Sequence, residues 1–190
     1  MEALLISTLA VAIAEMGDKT QLLALVLAAR YRQHTPIVLG ILVATLANHA
    51  LAGSLGAWVG ARIPEGWLPW LVTISLLAMA AWMLVPDKLD DAPKVPAMGA
   101  FTATTIAFFL VEMGDKTQIA TVVLAAQYQP LWAVVAGTTL GMMLANAPAV
   151  WLGARFADRI PLNWTRLGAA LLFAALGIAS VVYALSDGGA

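Results

Sequence analysis

The sequence predicts an all-α membrane protein of six transmembrane helices, arranged as two inverted three-helix repeats. Three observations predict it. Of 190 residues, 62% are hydrophobic and only 11% charged, against about 25% charged in an ordinary soluble domain. A soluble fold of this size keeps too much of its surface wet to hide that much apolar area. Six apolar stretches approach or exceed the ~20 residues that cross a bilayer as helix. Finally, a shift of 97 positions lays the second half of the chain on the first without a gap.

The predicted spans are 3–29, 36–60, 67–85, 98–126, 131–153 and 164–185. The first contains an apolar opening, but it has no basic start and runs past a charged cluster, so it is not a signal peptide. Arg30-Tyr31-Arg32-Gln33-His34 closes it, and Pro36 suits the first turn of the second helix. Arg62-Ile63-Pro64-Glu65-Gly66 and Arg159-Ile160-Pro161-Leu162-Asn163 read as short polar hairpins. The longest polar stretch lies mid-chain. Residues 1–86 therefore form the first three-helix repeat, 87–97 a linker and 98–190 the second repeat, all within one membrane domain.

The duplication rests on its charged block. Glu15-Met16-Gly17-Asp18-Lys19-Thr20-Gln21 matches Glu112-Met113-Gly114-Asp115-Lys116-Thr117-Gln118 at all seven positions. The same shift pairs Gly40 with Gly137, Arg62-Ile63-Pro64 with Arg159-Ile160-Pro161, and Trp67 with Trp164. Chance matches between apolar segments do not reproduce a charged heptapeptide in register. Each unit has three spans, an odd number, so the second enters the membrane from the opposite side. That is the inverted-repeat plan of secondary transporters, whose site lies near the midplane.

Basic residues orient the chain. Lys19 and Lys116 fall inside spans. Arg30, Arg32, Lys88, Lys94, Arg155, Arg159 and Arg166 fall on one face and only Arg62 on the other. The linker is then cytoplasmic and both termini lie on the outer face.

Composition also excludes. A net charge of −1 gives no footprint for nucleic acid. The absence of cysteine removes disulfides, thiolate metal sites and thiol nucleophiles. The seven Trp suit membrane-interface anchoring.

The chemistry lies in the paired blocks. Glu15 is thirteen residues past Glu2 and fifteen before Arg30, so it sits near mid-membrane, as does Glu112 in its span. On a continuous helix at ~100° per residue, Glu15, Asp18 and Lys19 share one face, flanked by Gln21, while Thr20 points elsewhere. Each ionised group at that depth costs at least ~2.5–3.5 kcal/mol. An intrahelical Glu15–Lys19 pair serving only as glue leaves Asp18 unexplained. The better reading is a cation site built from the carboxylates of Glu15, Asp18, Glu112 and Asp115. Hard oxygen donors suit Mn²⁺, Ca²⁺ or Mg²⁺, and a lone central His without Cys argues against Cu⁺ or Zn²⁺. Asn48 and Asn146 are candidate further ligands or interhelical hydrogen-bond glue. His49 is a candidate proton carrier. Lys19 and Lys116 tune the charge, and Gly40, Ala44, Gly137 and Gly141 permit close helix packing.

The two Glu-x-Gly-Asp-Lys-Thr blocks, one per half, resemble those of the small Mn²⁺/Ca²⁺ cation–proton antiporter family long known as uncharacterised protein family sixteen. That family includes bacterial manganese exporters and Golgi and thylakoid manganese/calcium transporters. The resemblance covers essentially the whole chain. It implies that Glu15, Asp18, Glu112 and Asp115 bind the transported cation, with Thr20, Gln21, Thr117 and Gln118 beside them as additional ligands or support. It implies no permanently bound cofactor, with Mn²⁺ or Ca²⁺ and protons as substrates. The compact form, without a leader or extra span before the first motif, looks bacterial and hence inner-membrane, and manganese export is the expected role. Two other readings stand beside it. One is an exporter of a small organic cation such as a basic amino acid. The other is an intramembrane aspartyl protease, which leaves the Glu and Lys beside each Asp without a role.

Overall fold

The computed structural model describes residues 1–64, 66–85, 98–152 and 162–187. Among these the chain is all-helical. The elements are α1 (Glu2–Glu15), α2 (Lys19–Tyr31), α3 (His34–Gly60), α4 (Leu68–Met83), α5 (Ala100–Glu112), α6 (Lys116–Gln127), α7 (Leu131–Leu152) and α8 (Leu162–Asp187). The expected linker, together with Lys88, Lys94, Arg155 and Arg159, lies outside the described residues.

Helices α3, α7 and α8 are each long and apolar enough to cross a membrane, and α4 and α5 are shorter apolar helices. Their outer faces are apolar and bare. Leu39, Val43 and Leu46 on α3, and Leu171, Ile178 and Val182 on α8, are all exposed. Such large bare apolar faces fit a lipid solvent rather than water.

The expected first and fourth spans are not continuous helices. Each breaks inside its charged block, giving α1 and α2 from one and α5 and α6 from the other. The helical-wheel placement of Glu15, Asp18 and Lys19 on one face is therefore corrected. Three non-helical residues separate Glu15 from the next helix, so 100° per residue does not apply across them.

Packing follows the duplication. Helix α1 lies on α7, and its repeat equivalent α5 lies on α3. Both seams close over glycine. A Cβ at Gly137 would fall 2.5 Å from the Leu4 carbonyl oxygen, and one at Gly40 would fall 2.8 Å from that of Phe101. These positions are equivalents, as are the carbonyls they press on. One turn beyond Gly137, a Cβ at Gly141 would fall 2.6 Å from the Thr8 carbonyl. The expected close packing at these small residues is thus observed, and it is what draws the two broken segments into the centre. Helices α4 and α8 pack on each other, where Thr73 Oγ1 donates to the Gly177 carbonyl at 2.9 Å. Together they cover α1 and α6.

Candidate cation site

Each break has the same local cause. Gly17 has φ 83° and Gly114 φ 80°, the left-handed region where a side chain is strained and glycine is not. Asp18 (φ −80°, ψ 168°) and Asp115 (φ −78°, ψ 168°) then sit extended as N-caps of α2 and α6. The turn is closed by Asp18 N–H donating to the Glu15 carbonyl at 3.1 Å and Asp115 N–H to that of Glu112 at 3.0 Å. Gln21 Oε1 accepts from Gly17 N–H at 3.0 Å, and Gln118 Oε1 from Gly114 N–H at 2.5 Å. Backbone freed from a helix inside a bilayer must find such internal partners. The two glutamines are therefore braces of the break, with their carbonyl oxygens occupied. Gln21 Nε2 also ties the turn to α7 through the Ala145 carbonyl at 2.9 Å.

Around these turns the acidic groups gather in the interior. Glu15 and Glu112 have no exposed surface, Asp18 and Asp115 are buried, and Thr117 is buried with them. The carboxyl of Glu15 lies within electrostatic reach of both Glu112 and Asp115. Thr20 Oγ1 donates to Glu15 Oε2 at 2.5 Å. That corrects the expectation that Thr20 points elsewhere, because the helix restarts after Gly17 in a new direction. Lys19 Nζ reaches across the repeats to Asp115 Oδ1 at 3.2 Å. The same oxygen accepts from Lys116 N–H at 2.8 Å. The ion pair is thus between repeats, unlike the intrahelical Glu15–Lys19 alternative. Lys116 Nζ donates to the Val85 carbonyl at 3.2 Å, past the end of α4, with the Trp82 ring nearby.

The second helix of each repeat adds amide and imidazole groups. His49 is fully buried, with Nε2 3.7 Å from Glu112 Oε2, beyond hydrogen-bonding distance. Asn48 Nδ2 donates to the Phe109 carbonyl at 3.0 Å, and Asn146 Nδ2 to the Met142 carbonyl at 3.1 Å. The Asn48 amide nitrogen thus joins α3 to α5, whereas that of Asn146 bonds back within α7.

What remains is a set of buried oxygen acceptors without donors. Glu15 Oε1, both oxygens of Glu112, Asp115 Oδ2, and Oδ1 of Asn48 and Asn146 have no hydrogen-bond partner. Each such group inside hydrocarbon costs several kcal/mol unless something satisfies it. Lone pairs without protons are what a hard cation satisfies. Among the described residues, no three acidic or histidine side chains already converge at metal-ligand separation. Glu15, Glu112 and Asp115 lie within electrostatic reach of one another, with Lys19 on Asp115, rather than closed into a coordination shell, and Asp18 is buried at the α1–α2 break beside them in sequence. The side chains of Thr165 and Arg166 on α8, Met83 on α4, and the carbonyls of Met16 and Val85 also frame this region. Only long-range packing places them there, and no single-sequence signal marks them.

Comparison with known proteins places the chain in a family. A family model described as "Divalent cation/proton antiporter GDT1" matches the chain twice, over residues 3–91 and 100–188. A protein of Vibrio cholerae named "Putative manganese exporter" is 50% identical over 184 residues, covering 96% of this chain and 92% of that protein. GDT1-like protein 5 of Arabidopsis thaliana is 28% identical over 210 residues, covering 90% and 91%. A GDT1-like protein of Synechocystis is also 28% identical, over 194 residues, covering 90% and 93%. No solved structure matches the chain.

Proposed function

The chain belongs to the GDT1 family of divalent cation/proton antiporters, and from that premise we propose that it exports Mn²⁺ in exchange for protons by alternating access. It is a transporter and not an enzyme. The reading has Glu15, Asp18, Glu112 and Asp115 take the cation, with Asn48, Asn146, Thr20 and Thr117 able to complete or support the shell. One observation carries it: two equivalent helix breaks bring carboxylates of both repeats into one buried region where several oxygens have no donor. Ca²⁺ is a second substrate by the same donor chemistry.

Architecture and topology belong to the same proposal. The pairs α1–α2 and α5–α6 each act as one broken span, which with α3, α4, α7 and α8 makes six spans in two inverted repeats. The linker faces the cytoplasm, both termini face outward, and the membrane is the bacterial inner membrane. The double match of the family model supports the duplication, and the discontinuous helices support a midplane ion site.

Charge balance supplies the coupling. Each block carries two carboxylates and one lysine, so the ionised site sums to −2. One divalent cation or about two protons neutralise it. Either neutral form can cross between facing states, whereas the empty charged form is held back by the cost of charge in low dielectric. Exchange is then obligatory, and an inward proton gradient drives cation outward. His49, 3.7 Å from Glu112, is the proton carrier in this reading. Lys19, which pairs with Asp115, must yield when the ion binds.

The deciding experiment is transport by purified protein in proteoliposomes under an imposed pH gradient, comparing Mn²⁺, Ca²⁺, Mg²⁺ and lysine. Mn²⁺ movement against the proton gradient is expected. Lysine movement without Mn²⁺ would replace this reading with the organic-cation exporter.

A further inference from the structure

We infer that Arg166 sets the charge of the doorway through which a divalent cation reaches Asp18, and so sets the cation concentration at which transport begins from that face. The inference rests on the antiport reading above.

A cavity of about 10 Å³ opens beside the α1–α2 break, lined among others by Met16, Asp18, Met83, Lys116 and Arg166. That is the size of one water molecule, and a stripped cation needs no more. Two tethers frame the doorway. Thr165 Oγ1, in the first turn of α8, donates to the Met16 carbonyl at 3.3 Å, just before Gly17. On the other side, Lys116 Nζ donates to the Val85 carbonyl at 3.2 Å, beyond the end of α4. The ends of α4 and α8 are thus fastened to the two breaks, one each, and the narrow opening between them leads to a carboxylate. Motion of the α4–α8 pair would widen or close it.

Arg166 has no charged equivalent in the other repeat. The 97-residue shift places Pro69 where Arg166 stands and Leu68 where Thr165 stands. In a duplicated protein, a charge present on one side only is an element of sidedness. A fixed guanidinium beside a one-water opening repels an approaching divalent ion and raises the concentration needed to fill the site from that face. A carrier that expels a cation the cell also needs gains from such a threshold.

The test uses the full chain in proteoliposomes, with the Mn²⁺ KM measured separately from each face. Arg166→Gln should lower KM roughly fivefold at the face bearing the α8 N-terminus, the Coulomb effect of one unit charge on a divalent ion across about 9 Å of water. The opposite face should keep its KM, and the shift should shrink at high salt. Arg166→Lys should behave like the native protein. Because the chain has no cysteine, Arg166→Cys provides a second test that does not depend on folding differences. A trimethylammonium thiosulfonate label should restore the high KM, and a sulfonate label of similar size should lower it below that of the glutamine variant. Equal KM for the two labelled forms, or equal shifts at both faces, would overturn the inference while leaving the antiport reading intact. Native protein that moves no divalent cation would instead overturn the reading, and this inference with it.

Discussion

Gly114→Ala separates a broken helix from a continuous one by the sign of its effect. In an unbroken helix, alanine is more favourable than glycine by about 0.8–1.0 kcal/mol, so the substitution would stabilise. Here Gly114 has φ 80° and nothing within 4 Å of the position its Cβ would take. The added methyl meets no neighbour, and the whole effect is backbone strain, about 1–2 kcal/mol for a non-glycine residue in the left-handed region. The difference between the two outcomes is thus about 2–3 kcal/mol and changes sign. Gly114→Asn should cost less than Gly114→Ala, because asparagine tolerates that conformation better. Thermal unfolding of the detergent-purified protein reads the stability, and Mn²⁺ transport reads whether Asp115 and Glu112 keep their relative positions. The ordering expected is native, then asparagine, then alanine, in both assays. A Gly114→Ala protein more stable than native would refute the broken segment, and with it the geometry of the site.

Three further outcomes are expected. Alanine at Glu15, Asp18, Glu112 or Asp115 should abolish transport while leaving folded protein in the membrane; near-normal Mn²⁺ transport by any two of these variants would reject the four-carboxylate site. Cysteines placed at Asp91 and Ser186 should react from opposite faces, and labelling from the same face would remove the inverted topology. Mn²⁺ affinity should fall as pH is lowered from about 8.5 to about 5.5, with protons released on binding, because cation and proton compete for the same oxygens; pH-independent affinity without proton release would sink the antiport mechanism.

The outline of the fold was legible because the bilayer restricts it. The predicted spans 36–60 and 67–85 fall within two residues of α3 and α4 at each end, and Pro36 does sit in the first turn of α3. The breaks were harder to read. Glycine is frequent in transmembrane helices, so Gly17 alone signals little. The fuller signal was glycine followed by aspartate, a left-handed residue and then an N-cap, twice at equivalent positions. Reading the segment as one helix put Thr20 on the wrong side and made Gln21 a neighbour of the ligands, whereas its amide holds the turn. The burial of the four acidic side chains was legible, because their position midway along apolar spans leaves them no water. The pairing of Lys19 with Asp115 was not, since it joins residues 96 apart in sequence.

Identical sequences in unlike surroundings are the remaining physical point. The two heptapeptides match residue for residue and share backbone angles, yet Lys19 keeps 25% of its side chain exposed while Lys116 is only 5% exposed. Thr20 hydrogen-bonds the Glu15 of its own block, and the equivalent Thr117 is turned toward that same Glu15 rather than toward its own Glu112. The cause lies outside the blocks. His49 stands where the other repeat has Asn146, and α4 and α8 cover α1 and α6, the arms that precede one break and follow the other. Perfect symmetry would give a site equally open or equally closed to both faces, which carries nothing across a membrane. On the proposed cycle, a conformation that faces one side must treat its two equal halves unequally, and the opposite conformation exchanges their roles. Neighbouring helices impose the inequality, so the charged block itself can remain identical in both repeats while the site it forms faces one side at a time.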